Sequence, residues 1–114
     1  MELSEAARII SDNYKKAGNS LCYYLYEECV FRPSAFEEYY EAVFCFARNS
    51  IRNEMLSTQI AISYQAILKE IIWHFDPNDI ATKDHFPENY TDYLNQLDRA
   101  VRAYFEQQPD LLNN

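Results

Sequence analysis

The two histidines, His74 and His85, are the residues with the most versatile chemistry, because imidazole serves both as an acid or base and as a metal ligand. They lie in a stretch that also contains the carboxylates Asp76, Asp79 and Asp84, and such a group could suggest a metal site. No ligand-type residue follows His74 at a helical spacing, however, and Trp73 and Phe75 flank it. We therefore predict structural or surface roles for both histidines, and no metal site.

The same stretch partly matches a calcium-binding loop. Asp76 and Asn78 occupy the first two ligand positions of an EF-hand. Ile80, Ala81 and Pro87 stand where that loop needs an oxygen ligand, a glycine and a glutamate. The sequence therefore predicts no calcium site, and no cofactor is expected elsewhere.

The three cysteines, Cys22, Cys29 and Cys45, are too few and too widely spaced for a disulfide framework. None belongs to a CxxC pair, and none has a neighbouring histidine that would activate the thiol. We expect reduced thiols that pack as small hydrophobic residues in a cytoplasmic protein.

The segment Arg48-Asn49-Ser50-Ile51-Arg52-Asn53 resembles the R-polar-x-x-x-H signature of the HEPN ribonucleases. These are helical bundles of similar length that act as toxins or as RNA-cleaving components of defence systems. The resemblance implies a nucleic-acid-associated domain that uses Arg48 and Arg52. Asn53 stands where the family has its catalytic histidine, so the resemblance implies a domain without the general acid/base. The other interpretation is that the two arginines are surface cations one helical turn apart.

Charge is the strongest compositional feature, with 18 acidic and 10 basic residues giving a net charge of −8. This balance argues against direct binding to nucleic acid or to an anionic membrane, since both require a basic contact face. Between Glu70 and Asp98, seven acids face the single lysine Lys83. The excess indicates either a patch that docks on a basic protein surface or a solvated segment that keeps the domain soluble.

Ten tyrosines are more than a domain of 114 residues can bury. Neighbours such as Tyr39 and Tyr40 point about 100° apart on a helix, so some rings must face outward. Exposed tyrosine is common at binding hot spots, although rings at the edge of a core with wet hydroxyls would look the same in sequence.

Together these features predict a non-enzymatic, acidic helical module that occludes the basic or polar surface of a protein partner, as a small inhibitor, immunity protein, adaptor or anti-defence factor does. The alternatives are a catalytically degenerate HEPN-like domain and a bundle that binds a small ligand in an aromatic pocket. A homodimer would use the same features. The predicted contact residues form two patches: Asp79, Asp84, Glu88, Tyr90, Asp92 and Tyr93 in one, and Glu37, Glu38, Tyr39, Tyr40 and Glu41 in the other.

These patches must be positioned by helices, because the chain has one glycine, Gly18, and its prolines stand where helices could end. Apolar residues recur at helical period over 3–17, with Gly18 as a left-handed cap, and over 21–31 after a cap at Asn19 or Ser20. Ser34 and Glu37 have the spacing of a capping box.

The stretch 36–75 contains neither glycine nor proline and could form one helix. Its apolar stripe changes phase, however, so we expect a break or bend between Asn49 and Thr58. The second half is apolar over a wide arc and is expected to be the central helix of the bundle. A loop over 80–89 and a last helix capped by Thr91 and running to Gln107 complete the chain.

The predicted fold is therefore all-α, an antiparallel bundle of four to five helices in a single domain over 1–114. No apolar run is long enough to span a membrane, and the N-terminal residues do not have the pattern of a signal peptide.

Overall fold

The computed structural model describes residues 1–78 and 82–107. It contains five α-helices in this part of the chain: α1 (Leu3–Lys15), α2 (Leu21–Tyr23), α3 (Pro33–Arg48), α4 (Glu54–His74) and α5 (Tyr90–Glu106). A π-helical turn, Tyr24–Glu28, continues α2. The helices enclose one hydrophobic core, so the prediction of an all-α bundle is confirmed.

Successive long helices run in opposite directions. The thiol of Cys45, near the end of α3, lies 3.4 Å from the carbonyl oxygen of Met1, which precedes α1. The hydroxyls of Ser57, in the first turn of α4, and Tyr104, near the end of α5, are 2.9 Å apart. These contacts make α1 antiparallel to α3, and α4 antiparallel to α5.

The central helix is α3 and not α4, so that prediction was wrong. All six residues from Ala42 to Ala47 are buried, because α3 packs against α1 on one side and α5 on the other. By contrast, α4 buries a narrow stripe of five residues, Leu56, Ile60, Ser63, Ile67 and Glu70. No helix among the described residues is long and apolar enough to cross a lipid bilayer.

The break between α3 and α4 falls where the change of phase predicted it. The left-handed residue Ser50 (φ 53°) follows α3. The side-chain oxygen of Asn53 then accepts a hydrogen bond from the backbone N–H of Leu56 at 2.9 Å. Asn53 is thereby the N-cap of α4, and its side chain satisfies one of the free backbone amides at the start of the helix.

Three predicted helix boundaries were wrong in detail. Lys16, and not Gly18, is the left-handed cap of α1 (φ 55°), while Gly18 has a left-handed backbone two residues later (φ 61°). Ser34 does not cap α3, because Pro33 already occupies the first turn and Arg32 is the cap residue. Thr91 lies inside α5, which begins at Tyr90.

The segment after Gly18 joins the first helix to the loop before α5. Of the two predicted caps, Ser20 and not Asn19 caps α2, by accepting from the backbone N–H of Tyr23 at 3.1 Å. The π-helical turn ends at Glu28, three residues before the predicted end of this helix, and Cys29 after it has a left-handed backbone (φ 50°). Val30 then forms an isolated parallel bridge with Asp84, which fastens the distant loop to this segment.

Two ionisable side chains are buried between α2, α3 and α4. The Tyr39 hydroxyl lies 2.6 Å from the Ser63 hydroxyl, and the Cys22 thiol donates to the Ser63 carbonyl oxygen at 3.7 Å. Burial, opposed in part by the charge of Lys16, raises the pKa of Cys22 to about 12. Burial also raises the pKa of Tyr39 far above its usual value, although the hydrogen bond to Ser63 opposes this.

These two groups predict a loss of stability at alkaline pH. The unfolded thiol gives up its proton near pH 9.0 and the folded one near pH 12, so the folded state holds more protons between these values. The contribution of the buried groups to the free energy of unfolding is therefore fully present below pH 9. Above pH 9 the free energy of unfolding falls, by up to about 1.4 kcal/mol per pH unit for each group. Tyr39 contributes from about pH 10 upward.

Urea unfolding at half-unit steps from pH 8 to pH 11 measures this slope. The Cys22→Ala variant should have a flatter profile between pH 9 and 10 than the wild type. An unchanged slope in this variant would show that Cys22 does not carry the effect.

Candidate functional site

A buried ion pair holds the loop between α4 and α5. The Lys83 ammonium nitrogen Nζ lies 2.6 Å from the Glu70 carboxylate oxygen Oε1, and their side chains are 0% and 5% exposed. Removing both charges from water is costly, and their attraction offsets this cost only while both partners are present. The pair therefore fixes the loop on the last turns of α4.

His74 makes a second attachment to the same loop. Its ring nitrogen Nδ1 accepts a hydrogen bond from the backbone N–H of Lys83 at 2.8 Å, and its ring stacks on Phe86 with the centroids 3.9 Å apart. Burial, assisted by the charge of Lys83, lowers the pKa of His74. A neutral imidazole is the form that accepts at Nδ1, so His74 has a structural role, as predicted.

Aromatic rings connect this loop to the rest of the bundle. Phe75, Phe86 and Tyr90 contact one another, with centroid distances of 4.9 to 5.7 Å. Phe86 also contacts Phe31, which lies edge-on to Tyr93 at 5.1 Å. The start of α5, the loop and the end of α4 therefore share one cluster, whose outermost ring, Phe75, is 52% exposed.

Carboxylates lie close in sequence to this exposed ring and to Phe86 and Tyr90, the two rings of the cluster that it contacts. We define the acidic end as Phe75, Asp76, Asp84, Glu88, Tyr90 and Asp92; its four acidic residues are all exposed. Lys83 is the only lysine or arginine between Asp76 and Asp92, and it is buried against Glu70. The charge that the exposed carboxylates give this end is therefore negative.

The structure assembles most of the first predicted patch at this end. Asp84, Glu88 and Asp92 are exposed and Tyr90 is half-buried. Tyr93 turns its ring inward, 4.8 Å from that of Phe36. Asp79 lies outside the described residues.

The second predicted patch divides into three parts. Tyr39 is fully buried, so its prediction as a contact residue was wrong. Its ring points toward Ser63 of α4, whereas the ring of Tyr40, one position later, stacks on Phe36 at the surface. Glu37 and Glu41 are exposed beside Tyr40.

Glu38 points elsewhere. It lines a polar cleft of about 250 Å³ with Arg8 and Asp12 of α1, on the other side of α3. Near Tyr40, by contrast, the acids are balanced by Arg48 and Arg99, whose charges lower the pKa of Tyr40 while burial, the largest effect, raises it. Only Glu37, Tyr40 and Glu41 therefore adjoin the aromatic cluster, and their surface is of mixed charge.

The first predicted patch did not include Phe75 and Asp76, because the sequence analysis considered only tyrosines as outward-facing aromatic residues. The available signal was the position of Phe75 immediately before Asp76-Pro77, because a helix that ends there has no further turn to cover the ring.

The segment that resembles the HEPN signature lies at the turn between α3 and α4. Asn53 uses its side chain to cap α4. The Arg52 guanidinium donates to the carbonyl oxygen of Phe105, and that of Arg48 lies over the ring of Phe44, 5.6 Å from its centroid. Each of these three side chains thus has a contact within the fold, and none of the contacts points to RNA.

Two other chemistries considered for the sequence, metal binding and ligand capture in an aromatic pocket, have no assembled site in the described ranges. No three residues among the His, Cys, Asp and Glu of 1–78 and 82–107 are grouped so that they could hold a metal ion. The space within the aromatic cluster, between Phe31, Phe86 and Tyr93, is about 10 Å³, which fits no more than one water molecule. The aromatic-pocket alternative therefore gains no support from this space.

The ion pair predicts a specific pattern of stability. Replacing Lys83 with Met leaves the Glu70 carboxylate buried without its partner, and should lower the free energy of unfolding by about 3–5 kcal/mol. Replacing both residues, as Glu70→Leu with Lys83→Met, removes both desolvation costs and should recover most of this loss. Urea unfolding measures the two single variants and the double variant; a double variant as unstable as the sum of the singles would contradict the prediction.

The whole chain was also compared with known proteins. A scan against protein-family models, a search of curated proteins and a search of solved structures each find no match to this chain. The case for a function therefore depends on the geometry and charge of the acidic end.

Proposed function

We propose that this chain is a non-enzymatic, cytoplasmic protein-binding module that uses its acidic end to cover the basic surface of a protein partner. The observation that carries the proposal is the exposed ring of Phe75, which contacts Phe86 and Tyr90 in a part of the chain with four exposed carboxylates. An apolar ring that is left in water and surrounded by charge of one sign is typical of an interaction site.

The two kinds of group have different roles in such an interface. The carboxylates attract a basic partner over a distance and increase the rate of association. Phe75 and Tyr90 supply apolar area at the centre, where desolvation gives most of the binding free energy. Small inhibitors, immunity proteins, adaptors and anti-defence factors all cover a partner's surface in this way. The proposal therefore states how the chain binds and does not choose among these four classes.

The rigidity of this end also supports the proposal. Phe75 contacts Phe86 and Tyr90, and the loop that carries Phe86 is held by Lys83 and His74. A surface that is already ordered loses little conformational entropy when it binds. Tyr40, Glu37 and Glu41 extend the same side of the molecule through Phe36 and would contact the edge of a large partner.

Charge reversal tests the acidic end against a matched control. The test variant is Glu88→Lys with Asp92→Lys, and the control is Glu2→Lys with Glu5→Lys, which makes the same change of charge at exposed residues near the opposite end of the bundle. Each protein is immobilised and exposed to native lysate, and the captured proteins are quantified by mass spectrometry. We expect at least one protein that wild type and control retain equally and the test variant loses by about tenfold or more.

The partner is then purified and its dissociation constant is measured by calorimetry at several salt concentrations. Affinity should fall as ionic strength rises, because salt screens the attraction between the carboxylates and the partner's cations. Phe75→Ala should weaken binding without changing the salt dependence. Equal capture by all three proteins, or retention of RNA in place of a protein, would refute the proposal and in the second case favour the HEPN-like alternative.

A further inference from the structure

The outer side of α4 carries an apolar stripe that the fold leaves in water. We define the outer α4 stripe as Met55, Gln59, Ile62, Ala66, Lys69 and Trp73. Met55, Ile62 and Trp73 are 65%, 45% and 39% exposed. The stripe runs for about 27 Å at 1.5 Å per residue, and its positions lie about 100° around the helix from the buried stripe that ends at Glu70.

The spacing of these residues is that of a helix that packs against another helix. They follow one another at intervals of four, three, four, three and four, an alternation in which each position recurs after seven residues, as in the heptad of a paired helix. Such a repeat keeps the same side of α4 facing a partner helix over its whole length.

The stripe is also symmetric about position 64. If a second α4 is laid antiparallel across the first with position 64 at the centre, Met55 meets Trp73, Gln59 meets Lys69 and Ile62 meets Ala66. Every large residue in the stripe then faces a residue that differs from it in size or charge, and the two lysines do not face each other. A surface that matches itself in this way is what a two-fold interface requires.

The grooves beside the stripe fit the same register. Tyr14, Met55 and Gln59 border an open groove of about 480 Å³, opposite the position that Trp73 of a second copy would take. Lys16, Ile62 and Trp73 border another of about 190 Å³, opposite the position of the smaller Met55. The larger groove therefore receives the larger side chain.

The charges agree with this arrangement. Glu54 precedes Met55 in the chain, so the antiparallel register places it at the end of the stripe where Lys69 and the Lys16 groove of the other copy lie. No carboxylate belongs to the stripe itself, although the chain has a net charge of −8. Two carboxylates, Glu54 and Glu70, border the two grooves, and Lys69 is the one charged residue of the stripe between them.

We propose that this protein forms a two-fold symmetric homodimer through antiparallel contact of the outer α4 stripe, in the register that pairs Met55 with Trp73 and Ile62 with Ala66. The interface is one helix wide, so its area lies at the low end of the range for specific complexes and its affinity is in the micromolar range. It uses a side of the molecule separate from Phe75 and the carboxylates of the acidic end, and the two proposals stand or fall independently.

Trp73 makes the proposal measurable, because it is the only tryptophan in the chain. As protein concentration rises from about 1 µM to about 0.5 mM, sedimentation should show a monomer–dimer equilibrium and the Trp73 emission should shift to shorter wavelength. Ile62→Glu buries a charge twice in a symmetric interface and should raise the dissociation constant at least about 30-fold. Ala61→Glu adds the same charge at an exposed position of the same helix outside the stripe, and should leave the equilibrium unchanged.

Cross-linking tests the register. The single variants Met55→Cys and Trp73→Cys, each made together with Cys29→Ser, are treated with a short bis-maleimide separately and as a mixture. A covalent dimer should form in the mixture and not in either protein alone, since only Met55 and Trp73 face each other across an antiparallel pair. A chain that stays monomeric at about 0.5 mM, or variants that cross-link as well alone as in the mixture, would overturn the proposal.

Discussion

The ion pair between the Lys83 ammonium and the Glu70 carboxylate decides the charge of the surface at one end of the bundle. Lys83 is the only strong base in the segment from Asp76 to Asp92, and in an exposed position it would partly neutralise the surrounding acids. With its side chain completely buried, its charge is cancelled inside the protein by an acid of α4. Burying the pair costs free energy because both groups are desolvated. As a result of this burial, the exposed surface at this end carries charge of one sign.

The same pair explains why the loop can present aromatic rings without losing its shape. The backbone of Lys83 donates to His74, and the backbone of Asp84 exchanges hydrogen bonds with Cys29 and Phe31. These contacts fix the loop at both sides of the buried ammonium and bring Phe86 onto the ring of His74. Protonation of His74 would remove the acceptor at Nδ1, and burial opposes it by lowering the pKa of the imidazole.

The helices were predictable because their signals are local. The change of phase near Asn49 located the break between α3 and α4. Ser20 was one of two candidate caps in the sequence, since a cap bonds to an amide only three residues away, as Ser20 does to Tyr23. Whether a whole helix is central depends on packing between distant segments. The apolar residues of α4 cover a wide arc in sequence, but α3 takes the central position because α1 and α5 approach it from two sides, and periodicity within α4 contains no information about those helices.

Less of the candidate site was predictable, for the same reason. Sequence located Asp84, Glu88, Tyr90 and Asp92 of the acidic end but neither Phe75 nor Asp76. It also treated Tyr39 and Tyr40 alike. One of them meets Ser63 across the core and the other reaches the surface. It also counted Lys83 as a local cation, since nothing in the sequence around Lys83 shows that Glu70, thirteen residues earlier, would enclose it.

The two exposed surfaces differ in how they carry charge. If the acidic end binds as proposed, its interactions depend on a partner of opposite sign and weaken in salt. In the proposed homodimer, the outer α4 stripe brings no carboxylate of its own to the contact, so two copies of a chain with net charge −8 can approach there, and salt that screens their mutual repulsion favours the contact. The large apolar residues Met55, Ile62 and Trp73, which α4 does not bury against α1, α2 and α5, lie in a stripe whose one charged residue is Lys69. Phe75, immediately after the same helix, belongs instead to the acidic end. The two surfaces therefore expose apolar area in opposite electrostatic surroundings, and this difference allows the first to meet its own copy and the second to require a basic partner.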